Sequence, residues 1–158
     1  MRFKTINSLL LVCFSILLIS ACASSGGVST GHKVTKAGVI LEYTSCQKAG
    51  QDVQCNLFLT ADGRDMTVGI SSGKSIAFDD VGNQYLPKKI DLANQNVTGN
   101  VYTPKFTKVV ADVKTPLTIV FENVSTKAKE IKQLEIDFST RKPERTDHNV
   151  VKFSGNPI

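Results

Sequence analysis

The sequence predicts an all-β protein, an immunoglobulin-like antiparallel β-sandwich of about seven to nine strands, and three observations carry that expectation. Apolar residues recur at alternate positions beyond residue 38, as in Val39, Leu41 and Tyr43, in Val53, Cys55, Leu57 and Leu59, and in Leu134, Ile136 and Phe138. Such alternation puts one row of side chains on a buried face and the next in water. Turn-forming clusters punctuate the runs at 61–65 (ADGRD), 71–74 (SSGK), 79–84 (DDVGNQ) and 97–100 (VTGN). Helical periodicity is wanting: the one candidate, STKAKEIKQ at 125–133, aims only Ile131 at a core. A segment that short does not nucleate a stable helix, so a single turn between strands is expected.

The expected strands follow in order from these signals. Runs at 39–46 and 53–60 flank Ala49-Gly50-Gln51-Asp52, a hairpin loop. Strands at 65–70, 75–79 and 84–90 lie between the next three turn clusters, and 105–113, 117–124, 131–139 and 149–153 complete the set. Short strands at near-regular spacing favour two packed sheets, with a closed barrel as the second architecture. No internal repeat is evident.

Arg2 and Lys4 precede an apolar run, Leu9 to Ile19, broken only by Ser15 and ending at Ser20 and Ala21. That is the anatomy of a secretory signal over residues 1–21, and the run falls short of the ~20 residues a membrane span requires. Ile19-Ser20-Ala21-Cys22 resembles the lipobox of bacterial lipoproteins, an aliphatic residue and two small ones before a cysteine. The resemblance implies cleavage before Cys22, a diacylglycerol on its sulfur and, in many Gram-negative species, a further acyl chain on its amino group. Ala23 stands where an Asp would favour inner-membrane retention, so the resemblance implies an outer-membrane anchor facing the periplasm. Cys13 is not placed this way, since apolar sequence continues past it. The alternative is an ordinary secretory signal cut near Ala21 or Ala23, leaving an exposed thiol. Residues 22–37, rich in Ser, Gly and Thr after the cysteine, read as a lipid-anchored flexible tether with a reach on the order of 20 Å. Residues 38–158 read as one domain.

Of the 4 cysteines, Cys13 leaves with the leader and Cys22 takes lipid, so Cys46 and Cys55 remain as a pair outside the reducing cytoplasm. They flank the first hairpin, and a disulfide there is expected. A redox or metal role is disfavoured, because the spacing is not CxxC and no His lies near. From Cys55 onward, IAFDDVGNQYLP, PLTIVFENVSTKAKEIKQLEIDF and the closing VVKFSGNPI resemble the immunoglobulin-like extracellular domains of bacterial lipoproteins and secreted antigens. The resemblance implies fold and leaves activity open.

Without residues 1–21 the chain holds 17 basic residues against 14 acidic, and the two signs alternate, as in Lys127-Ala128-Lys129-Glu130. This is a solvated surface, with no nucleic-acid partner expected. GISSGKS at 69–75 has three residues between its glycines where a phosphate loop needs four, and a strand follows it. The 2 histidines, His32 in the tether and His148 in a polar connection, offer little to a His-based mechanism. Asp79-Asp80 and Asp62 with Asp65 are the carboxylate pairs, read first as turn formers. Tyr43, Tyr85, Tyr102, Phe106 and Phe121 could line a groove, although aromatics at alternate strand positions belong more often to a core. The expected function is a non-enzymatic, lipid-anchored binding or assembly module of the bacterial envelope, held to the membrane through Cys22 and engaging an envelope protein or polymer, with no catalytic residue, cofactor or metal. A small-ligand or metal-ion carrier is the alternative, and an envelope hydrolase built on Asp79 and Asp80 stands behind it.

Overall fold

A computed structural model describes residues 32–99 and 102–158. Twelve strands follow one another: β1 (Lys33–Lys36), β2 (Val39–Ala49), β3 (Asp52–Ala61), β4 (Met66–Ile70), β5 (Ile76–Asp79), β6 (Gln84–Tyr85), β7 (Pro87–Leu92), β8 (Gln95–Thr98), β9 (Lys105–Val109), β10 (Thr115–Phe121), β11 (Glu130–Arg141) and β12 (Thr146–Pro157). All named pairings are antiparallel. One sheet has the order β1-β2-β3-β10-β7-β8. In the other, β12 runs along one side of β11, and β4 and β5 share the opposite side end to end. β9 flanks β4 and β6 flanks β5.

This order is that of an immunoglobulin-like sandwich. β2, β3, β10 and β7 occupy the A, B, E and D positions of one sheet, while the collinear β4 and β5, then β11 and β12, occupy C, F and G of the other. Alternate side chains of both sheets meet in the middle: Leu41, Leu57, Leu117 and Ile119 from the first, Leu134, Ile136, Phe138 and Phe153 from the second, all buried. Tyr43 is buried with them, its ring centroid 6.1 Å from that of Phe153, and joins the sheets at the β2/β12 side.

The disulfide lies elsewhere than in antibody domains, where it bridges the sheets from B to F. Here Cys46 and Cys55 sit opposite each other on β2 and β3, with Cα atoms 4.0 Å apart, and staple one hairpin within one sheet. The hairpin turns through Gly50 at φ 69°, the positive φ that a type II′ turn needs at its first central residue.

Several expected boundaries differ from those observed. The run at 84–90 breaks at Leu86, because β6 belongs to the second sheet and β7 to the first; Pro87, with no N–H to donate, opens the new strand. The strand placed at 105–113 stops at Val109, and Asp112, at φ 57°, turns the chain back so that its N–H donates to Ala61 O at 2.9 Å. VTGN has the composition of a turn, yet Val97 and Thr98 close β8, and the chain reverses earlier at Ala93 and Asn94, φ 52° and 64°. Lys33–Lys36, within the segment read as tether, forms β1 on the edge of β2. Residues 126–127 form a turn and no helix before β11 begins.

Candidate functional site

Asp79 and Asp80 leave β5 in opposite directions. Asp79, 4% exposed, accepts hydrogen bonds at Oδ1 from the N–H groups of Val81 and Asn83, and at Oδ2 from Asn83 Nδ2 and the Tyr85 hydroxyl. The Tyr85 oxygen in turn accepts from the Ser125 N–H at 3.0 Å, tying the β5–β6 turn to the β10–β11 loop. Burial pushes the Asp79 carboxyl upward, but the side-chain bonds from Asn83 and Tyr85 and the two amides outweigh it and hold the group below the usual carboxylate range. Asp80 instead accepts the N–H groups of Lys129 and Glu130. Both carboxylates are thus occupied in closing turns and converge on no common space. The ground for a paired-carboxylate hydrolase is gone.

Asp65 is likewise occupied. Asp65 Oδ1 accepts from Ala111 N–H and Oδ2 pairs with Lys108 at 2.7 Å, which holds its carboxyl low. Among the described residues no group of three or more His, Cys, Asp or Glu side chains could hold a metal ion. His148, read as a loop residue, stands on β12 opposite Ser139 of β11, with Nδ1 2.8 Å from the buried Ser139 hydroxyl. The glycine-bearing 71–75 segment bridges β4 and β5: Ser71 N–H donates to Asp137 O, and Asp137 N–H donates to Ser75 Oγ, so a side chain continues the ladder.

The five aromatics do not form one groove. Tyr43 and Phe121 are core, Tyr85 holds the Asp79 network, Phe106 lies under Arg141, and Tyr102 is 61% exposed. Between the sheets, the cleft bounded by Ile70, Ile90, Leu92 and Thr107 encloses about 10 Å³. A ligand site needs roughly 300 Å³ or more, so that cleft holds no carried molecule. Cys22 lies outside the described residues.

What remains is an edge. Strands that end a sheet are normally blunted by being short, and β1, β6, β8 and β9 are 4, 2, 4 and 5 residues long. β12 is the exception, with 12 residues paired to β11 and to no other strand among the described residues. Val151 and Phe153 anchor it in the core, while His148, Val150 and Lys152 face outward. Lys36 reaches across from β1 and donates to Val150 O at 2.9 Å. Gly155 at φ 70° and Pro157 interrupt the far end, leaving Thr146 to Ser154 as regular strand. The sequence concealed this length, because TDHN at 146–149 carries no apolar alternation.

The fold and this edge define an immunoglobulin-like sandwich with one long open strand. No protein-family model and no curated protein matches the chain. Among solved structures it is similar to the crystal structure of the yeast GGA1_GAE domain-P21, at TM-score 0.43 and 11% identity over 78% of this chain and 97% of that one. It is also similar to the GAE domain of GGA2p from Saccharomyces cerevisiae, at TM-score 0.41 and 8% identity over 81% and 98%.

Proposed function

We propose that this protein is a lipid-anchored, non-enzymatic binding module of a bacterial envelope, fixed through Cys22 in the outer membrane, and that it takes an extended segment of a partner protein along β12. The observation that carries the reading is the 12-residue strand with a single paired side. A strand added there would gain main-chain hydrogen bonds from the edge and side-chain selection from alternate positions such as His148, Val150 and Lys152. Lys36, now on Val150 O, would give way to the incoming amide. The lipobox-like Ile19-Ser20-Ala21-Cys22 supports the anchor. Two or three acyl chains hold a protein far longer at a membrane than one, at about 0.8 kcal/mol per buried methylene.

The test uses the full chain in a Gram-negative host. Intact mass of the membrane fraction should show lipid on Cys22 that disappears in Cys22→Ala. A photocrosslinker placed at His148 or Lys152 should trap one envelope protein, while the same group at Gln54 or Thr118, on the outer face of the first sheet, should not. An unmodified mass in the soluble fraction would refute the anchor. Equal trapping from both faces would refute the edge.

A further inference from the structure

The end of the sandwich formed by the 61–65 loop, the start of β4 and the β11–β12 hairpin holds an open groove of about 330 Å³ whose lining includes Arg64, Met66, Thr67, Arg141 and Lys142. Two of its three cations lack a carboxylate partner among the described residues. Arg141 lies on the Phe106 ring, its Cζ 4.0 Å from the centroid, and makes no ion pair there. Stacking on the face of a ring leaves the in-plane N–H donors of a guanidinium free. Arg64 makes no ion pair either, whereas Lys142 is held by Asp147 at 2.6 Å. The carboxylate in the groove, Asp65, is already taken by Lys108 and the Ala111 N–H.

The supports of both arginines are fixed before any ligand arrives. The loop carrying Arg64 is latched by Asp62 N–H to Gly38 O at 2.9 Å, by Gly63 N–H to Asp112 Oδ1 at 3.2 Å and by Asp112 N–H to Ala61 O at 2.9 Å. Arg141 is the last residue of β11, and its stacking partner approaches closely because Gly69 lies between them in the sheet: a Cβ there would come within 2.9 Å of Lys105 O. The Arg141 guanidinium, held on the ring, loses little freedom on binding, and the latched loop keeps Arg64 at the rim.

We infer that this groove is an anion site for phosphoryl groups. Two guanidinium forks present more donors than one carboxylate can accept at once, and a phosphate offers three terminal oxygens to them. β1 runs toward this end of the molecule from beside Tyr43, midway along β2. The open groove admits a chain of phosphoryl groups, so the ligand class is a phosphate-bearing polymer, with a phospholipid headgroup as the other source that the test separates. The groove itself does not depend on the anchor.

Full-length protein in non-ionic detergent, titrated with linear tripolyphosphate by calorimetry, tests the site. Arg64→Ala with Arg141→Ala should weaken binding by roughly tenfold or more per arginine, with the thermal midpoint little changed. Lys127→Ala with Lys132→Ala, which removes the same charge elsewhere, should change affinity less than about twofold, as expected of a remote field screened by salt. Equal losses in the two double variants, or no binding by the parent protein, would overturn the site. Tighter binding to anionic phospholipid vesicles than to tripolyphosphate, lost in the arginine double variant, would overturn the polymer in favour of a lipid headgroup. Cys22→Ala should bind tripolyphosphate like the parent, which separates failure of the groove from failure of the anchor.

Discussion

Asp79 shows what one side chain contributes when it is buried against four donors. Hydrogen bonds to an ionised group are worth about 1.5 to 3 kcal/mol, and their loss leaves buried amides unpaired. Asp79→Ala should therefore lower unfolding free energy by about 2 to 3 kcal/mol in urea titrations, whereas Asp62→Ala, whose side chain closes no such network, should cost under about 0.5 kcal/mol. The pH dependence follows from the lowered pKa. Because the folded carboxyl is held below its unfolded value, near 3.9, the ionised form stabilises the fold fully above that value. Its contribution then fades as pH falls through the folded pKa. Urea midpoints should drop more steeply below about pH 4 in the parent than in Asp79→Asn, and parallel curves would contradict this account.

At the scale of elements, the hairpin of β2 and β3 is held by the sulfur bridge and the contact of β4 with β9 by an absent side chain. The Cys46–Cys55 bridge, nine residues apart, constrains the unfolded chain by about 2 to 3 kcal/mol, so Cys46→Ser with Cys55→Ser should remain folded with stability reduced by that amount. Gly69→Ala would place a methyl within 2.9 Å of Lys105 O and Pro104 Cβ and should cost about 1 to 3 kcal/mol, with β9 amides exchanging faster. Unchanged exchange on β9 would show that the neighbours yield freely. These two elements also mark the limits of sequence reading. The hairpin was legible because a cysteine pair, a glycine turn and two alternating runs all agree. β8 was not, because its turn uses Ala93 at φ 52°, a conformation that alanine rarely adopts and that tertiary pairing with β7 imposes. The length of β12 was hidden for a similar reason: pairing with β11 fixes a polar stretch as strand, with no apolar signal of its own. Of the candidate site residues, the Asp79-Asp80 pair was legible as turn chemistry. The Arg141–Phe106 stack joins residues 35 positions apart through β4, which no local pattern reports.

The whole molecule is polar along its strands. At one end lie Gly38, the 61–65 loop, Asp112 and the β11–β12 hairpin; at the other lie Gly50, Gln51, Asp80, Val124 and Lys129, joined by Val124 N–H to Gln51 O and Asp80 N–H to Glu130 O. β11 alone, with 12 residues, separates the two ends by about 40 Å. β1 starts beside Tyr43, whose N–H donates to His32 O, and runs toward the first end. A lipid on Cys22 would leave ten steps of chain to His32, a span of at most about 35 Å, shorter than the domain is long. His32 lies beside the middle of β2, so the anchored domain should present its β1–β2 flank to the bilayer with its two ends at similar height. Lipidated protein in vesicles carrying a headgroup quencher tests this with a fluorophore at Gly82 or at Glu144. Quenching at Gly82 and at Glu144 should agree within about twofold, and in Cys22→Ala both should fall to background. Quenching several-fold stronger at one position would mean that the anchored domain stands on that end, against an attachment midway along its strands.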